Sequence, residues 1–153
     1  MMQRISWLIS CGLAVMAVML LQYFYQMKSE TGNLGIVGIA LAVPFILLCL
    51  FITYNYFRSV GKSTAEPMMV FLYTIFGIAF ITACMYFAND FKQDTFLELG
   101  GDTNTVGSKV YGLATLNAET SKIYFNFYTI AALITVISVI STWIGLCTRQ
   151  KAE

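Results

Sequence analysis

Residues 123–148 read IYFNFYTIAALITVISVISTWIGLCT, with no charged side chain. Residues 5–27, 31–57 and 67–89 are uncharged in the same way. Every Lys, Arg, Asp and Glu of the chain falls between or beyond these four stretches. A helix needs roughly 20 mostly apolar residues to cross the hydrocarbon core of a bilayer. A helix on a soluble domain would carry charge on its outer face. The pattern therefore predicts an all-α integral membrane protein, with spans at about 5–27, 34–58, 66–89 and 123–147.

The rest of the chain is short. Of 153 residues, the only sizeable polar segment is 90–122, which leaves no room for a second domain of typical size. The whole of 1–153 reads as a single membrane domain. The apolar run before Cys11 is too short for a signal h-region, and a long apolar run follows it, so residues 5–27 are expected to be a retained span. The connections between the first and second spans, and between the second and third, are short. Short links favour antiparallel neighbours, and the expected architecture is an up-down-up-down four-helix bundle.

Local signals suggest where helices start and stop. Gly32 and Asn33 supply a turn after the first helix. Pro44 lies inside the second helix and should bend it. Gly61, between Arg58 and Lys62, is placed for a left-handed C-terminal cap. Ser63-x-x-Glu66 has capping-box spacing, with Pro67 in the first turn of the third helix. No breaker then appears before Gly100-Gly101. The third helix therefore either projects past Asn89 to about Leu99 or stops early and leaves an irregular loop. Residues 102–108 read as loop. Val106, Val110, Leu113 and Ala114 recur at helical spacing and predict a short amphipathic helix over 108–117. Thr120 or Ser121 is the expected cap of the fourth helix.

Positive charge favours the cytoplasmic face. Arg4, Arg58, Lys62, Arg149 and Lys151 gather on one side in few residues. Lys28, Lys92, Lys109 and Lys122 are spread over more residues on the other. This density places both termini in the cytoplasm and segment 90–122 outside. The absence of N-x-[ST] sequons fits a bacterial plasma membrane. Trp7 and Trp143 lie near one proposed surface, and Tyr23, Tyr86 and Tyr124 near the other, as headgroup anchors do.

Composition also bounds the chemistry. The chain has no histidine, which removes the commonest general base and a common metal ligand. Cys11, Cys49, Cys84 and Cys147 form no C-x-x-C pair and read as small apolar packing residues. Ionisable residues inside spans mark proton relays and ion pathways, and these spans carry none. The chain is expected to be no enzyme and to hold no cofactor or metal. Its net charge of +1 suggests no nucleic-acid partner.

What remains is contact surface. Thr135, Ser138, Thr142 and Gly145 share one face of the fourth helix with Ala131 or Ala132. Small residues let backbones approach closely, and hydroxyls can bond across helices. The same face could instead wall a pore in an oligomer. Packing seams are the commoner use of such faces. Gly38 and Ala42 form a small-x-x-x-small pair on the second helix. Asp94, Glu98, Asp102 and Tyr111 mark the outer segment as a docking surface. The leading expectation is a non-catalytic membrane subunit that assembles with copies of itself or with other membrane proteins. The alternatives are a channel lined by the fourth helix and a small membrane binding or immunity protein.

Overall fold

The computed structural model describes residues 2–26, 28–29, 32–33, 35–63, 66–112 and 119–150. The chain is helical, and four helical segments are long and apolar enough to cross a membrane. In order, the elements are α1 (Met2–Gln26), β1 (Lys28–Ser29), β2 (Gly32–Asn33), α2 (Gly35–Ser63), α3 (Pro67–Leu99), α4 (Ser121–Tyr124) and α5 (Phe127–Gln150). β1 and β2 form an antiparallel two-residue ladder, with Lys28 opposite Asn33 and Ser29 opposite Gly32. Apart from this two-residue ribbon the regular elements are all helices, in keeping with the all-α expectation. Gly32 and Asn33, read as a turn, themselves form β2.

α2 continues through Pro44 and past Gly61 to Ser63. Gly61 is therefore no left-handed cap. It is buried against α5, where its missing side chain makes room for the Thr142 backbone. The Ser63–Glu66 capping box does not form. The Ser63 hydroxyl donates to the Val60 carbonyl at 3.0 Å instead. Glu66 is the extended residue before α3 and makes no side-chain cap, while Pro67 opens the helix. There the fixed φ of proline suits the first turn and its missing N–H costs nothing.

α3 runs 33 residues, which decides for the long form. At 1.5 Å per residue it is roughly 50 Å long. Gly100 ends it in the left-handed conformation, at φ 78°. The Gly100 N–H donates to the Leu97 carbonyl at 3.1 Å, and that of Gly101 to Phe96 at 2.8 Å. This is the paired closure of a Schellman motif, which satisfies carbonyls that the helix end would orphan.

The amphipathic helix over 108–117 is not seen where the chain is described. Residues 108–112 form turns, and 113–117 lie outside the described residues. Gly107 and Gly112 adopt φ of 92° and 73°, which no right-handed helix accommodates. Val106 is exposed while Val110 is fully buried, so the two share no helical face. The fourth helix is likewise not one piece. A single turn, α4, gives way at Phe125, and Asn126 starts α5 afresh.

The helices pack in the order α1, α2, α5, α3. Trp7 meets Thr53 and Leu21 meets the site of Gly38, so α1 and α2 run antiparallel. Tyr73 meets Ser138 and Phe87 stacks on Tyr128, so α3 and α5 are also antiparallel. Ile46 shares a cluster with Ile130, and Gly61 meets Thr142, so α2 and α5 run parallel. The short link between α2 and α3 does not make them the main partners. α3 lies chiefly on α5 and touches α2 through the Phe57–Tyr73 stack, with ring centroids 5.6 Å apart. The central cluster joins Ala17, Val18 and Leu21 of α1, Ala42 and Ile46 of α2, and Ile130 of α5. Large apolar side chains such as Leu8, Phe51 and Phe76 point outward. In water that surface would be costly, but hydrocarbon accepts it.

Candidate functional site

The small-residue faces predicted from sequence are used within the chain. Gly38 sits against Phe24 and Leu21, where an added Cβ would lie 2.8 Å from the Phe24 Cβ. Ala42, one turn on, is buried in the central cluster. This pair lets α1 lie close on α2. The contact extends toward the N-terminus of α1. There Trp7 Nε1–H donates to Thr53 Oγ1 at 3.1 Å, and its ring stacks on Tyr56 at 5.3 Å. Trp7 is thus a strut between helices as well as a candidate interface anchor.

The stripe on α5 is divided between two neighbours. Thr142 and Gly145 face α2 at Gly61. A Cβ on Gly145 would fall 3.0 Å from the Gly61 Cα and would collide with the Arg58 carbonyl. Ser138 faces α3 and accepts a 2.8 Å hydrogen bond from the Tyr73 hydroxyl. Its own hydroxyl donates to the Thr135 carbonyl at 2.8 Å. Thr135 is half-buried and donates to Ala131 at 2.8 Å. Ser138 and Thr142 are each 3% exposed, and the neighbouring Ser141 is fully buried. Trp143 Nε1–H reaches Thr74 Oγ1 at 2.8 Å and adds a second tie between α5 and α3.

The predicted docking residues do not form one cluster. Asp94 is exposed on the projecting part of α3. Glu98 pairs with Lys122 at 3.0 Å, an ion pair that ties α3 to α4. Asp102 organises the loop after α3. Its carboxylate accepts the Asn104 N–H at 2.9 Å and the Thr105 hydroxyl at 2.8 Å. These bonds hold the Asp102 carboxyl below the usual carboxylate range. The Lys109 N–H donates to the Leu99 carbonyl at 2.9 Å and fastens the loop to the end of α3. Tyr111 stands exposed on this loop.

No family model, curated protein or solved structure matches this chain.

Several structural residues escaped the sequence reading. Asn126 is the buried N-cap of α5. Its Oδ1 accepts the Thr129 N–H at 3.0 Å, and Thr129 Oγ1 accepts the Asn126 N–H at 3.2 Å. Its Nδ2 donates back to the Ile123 carbonyl at 2.7 Å, bridging the break after α4. The Asn-x-x-Thr spacing was the available signal. Cys11 and Cys49, far apart in sequence, bring their sulfurs within 3.9 Å. Their partnership follows from helix pairing, which spacing alone does not encode. Among the described residues, no group of three or more His, Cys, Asp or Glu could hold a metal ion.

Proposed function

We propose that this chain is a non-catalytic multi-pass membrane subunit. It assembles with copies of itself or with other membrane proteins, and the segment after Asn89 carries the docking surface. In this reading the spans cross a bacterial plasma membrane up-down-up-down, with both termini in the cytoplasm. The observation that carries the reading lies at the polar end. Leu97 is 79% exposed and Val106 81% exposed, on a segment that also carries Asp94 and Glu98. Apolar side chains held in water next to charge are a common mark of a protein-binding surface. The Schellman closure and the Asp102 turn fix that surface in shape, which lowers the ordering cost of docking.

Gentle extraction followed by native mass measurement tests the proposal. The expected result is an assembly larger than one chain, which Leu97→Asp or Val106→Asp weakens. A lone wild-type monomer that captures no partner from its native membrane would refute it. Burial of Ser138, Ser141 and Thr142 favours a packing role for the α5 stripe over a pore wall. Bilayer recordings of the pure protein address the pore alternative directly.

A further inference from the structure

Helix pairing gathers cations at one end of the bundle. α1 is antiparallel to α2, and α2 is parallel to α5, so Arg4, Arg58, Lys62 and Arg149 all stand at that end. Arg4 is exposed on α1, and Arg149 is already engaged. Arg58 and Lys62 differ from both. They lie four residues apart near the end of α2 and so share one flank of that helix. Lys62 is exposed and Arg58 half-buried. The Arg58 Nε is buried and meets no hydrogen-bond acceptor among the described residues. Its Cζ lies 5.9 Å from the centroid of the Tyr54 ring, one turn nearer the middle of the span. Neither cation forms an ion pair among the described residues. Glu66, the acid nearest in sequence, is exposed and forms none either. Two like charges at this spacing repel one another. A buried guanidinium nitrogen without an acceptor carries an uncompensated desolvation cost. The C-terminal dipole of α2 favours cations here but places no acceptor on the Arg58 Nε. The Tyr54 ring face attracts the guanidinium but supplies no anion.

We infer that the Arg58–Lys62 flank of α2 binds the phosphate of one anionic membrane phospholipid. α2 is long and apolar enough to cross a membrane, and Arg58 stands where its charge-free run 31–57 ends. That is the level of lipid headgroups. A guanidinium presents N–H donors in a planar fork that matches a phosphate, and the ammonium adds a point charge beside it. Two cations with no acid paired to them suit a head of net negative charge over one that carries its own ammonium. Leu47, Phe51, Tyr54, Arg58 and Lys62 recur every three or four residues, so an apolar strip leads along one face to the cations. Leu47 and Phe51 are exposed on that strip, where acyl chains cover them. The strip assigns the phosphate to a lipid rather than to a free ion. This site goes beyond the subunit reading and does not depend on it.

The test is native mass spectrometry of the full-length, delipidated protein. It is titrated with phosphatidylglycerol or phosphatidylcholine of identical chains. The glycerol lipid is expected to bind about tenfold tighter, as two basic residues near a headgroup allow. Arg58→Gln should weaken the glycerol lipid about fivefold and leave the choline lipid unchanged. Lys62→Gln should act in the same direction. Arg58→Lys should restore part of the preference, because it keeps the charge and loses the fork. Lys92→Gln, which removes an exposed cation at the opposite end of the bundle, should leave the preference intact. Equal binding of the two lipids by the wild type overturns the proposal. So does an undiminished preference in Arg58→Gln or, should that variant fail to fold, in the exposed Lys62→Gln. Loss of the preference in Lys92→Gln also overturns it, since overall charge would then suffice. Displacement of the lipid by glycerol phosphate, which has no acyl chains, would give the site to a soluble anion and overturn the lipid assignment. A monomer that prefers the glycerol lipid would remove the subunit reading and leave this one standing.

Discussion

Gly61 and Gly145 bring the backbones of α2 and α5 into direct contact. A Cβ on Gly145 would sit 3.0 Å from the Gly61 Cα and inside the Arg58 carbonyl. The atoms in the way are backbone, so they cannot swing aside as a side chain would.

Gly145→Ala should therefore destabilise the fold by about 1–3 kcal/mol, the usual cost of overpacking. Gly12 provides the opposite case, because an added Cβ there meets nothing within 4 Å. Gly12→Ala should stabilise α1 by up to about 1 kcal/mol through helix propensity. Unfolding titrations in mixed micelles would show the two signs. Equal effects would mean the α2–α5 crossing is looser than described.

Asn126 is expected to act as a joint between α4 and α5. Asn126→Ala removes the cap acceptor of Thr129 and the donor to Ile123. The loss should be about 1–2 kcal/mol. Asn126→Ser keeps a cap acceptor and should recover part of it, read in the same unfolding assay.

Cys11 and Cys49 should be joined by a short bifunctional thiol reagent. In a Cys84→Ser, Cys147→Ser background the product is an intramolecular cross-link from α1 to α2. It would appear as a mobility shift on a denaturing gel. Cys11→Ser should abolish it, and a product that links two chains in place of the intramolecular one would contradict the α1–α2 register.

The loop at Asp102 carries a pH dependence of defined sign. Its carboxyl titrates below the ordinary value when folded, because Thr105 and Asn104 donate to the charged form. The contribution is complete above the unfolded value, near about 3.9, and is lost as pH falls through the lower folded one. Amide exchange at Asn104 should stay flat from neutral pH to about pH 5, after correction for intrinsic rates, and accelerate under stronger acid. Asp102→Ala should give fast exchange at every pH.

The four apolar helices were legible in the chain, because charge-free runs mark them. The reach of α3 was not, because the absence of any breaker before Gly100-Gly101 permits a long helix and equally an irregular loop. Val106 and Val110 misled, because a four-residue recurrence carries no information about Gly107 between them adopting a left-handed φ. Gly61 misled in a related way. A glycine between basic residues near a span end suits a cap, yet the same missing side chain also suits a helix crossing. In the segment after Asn89, the acids were visible in sequence, but the turn of Glu98 toward Lys122 was not.

The sequence by itself determined that this chain carries four helices long and apolar enough to cross a membrane. Hydropathy and backbone-breaking residues are properties of short stretches and need no partner. Only the tertiary structure decided that α5 lies between α2 and α3, that Gly61 serves Gly145, and that α1 packs on α2 and not on α3. Small-residue faces are alike enough that each could seat any of the others. Which ones meet depends on the fit of whole helices, settled by close backbone approach at glycine and by single hydrogen bonds such as Tyr73 to Ser138.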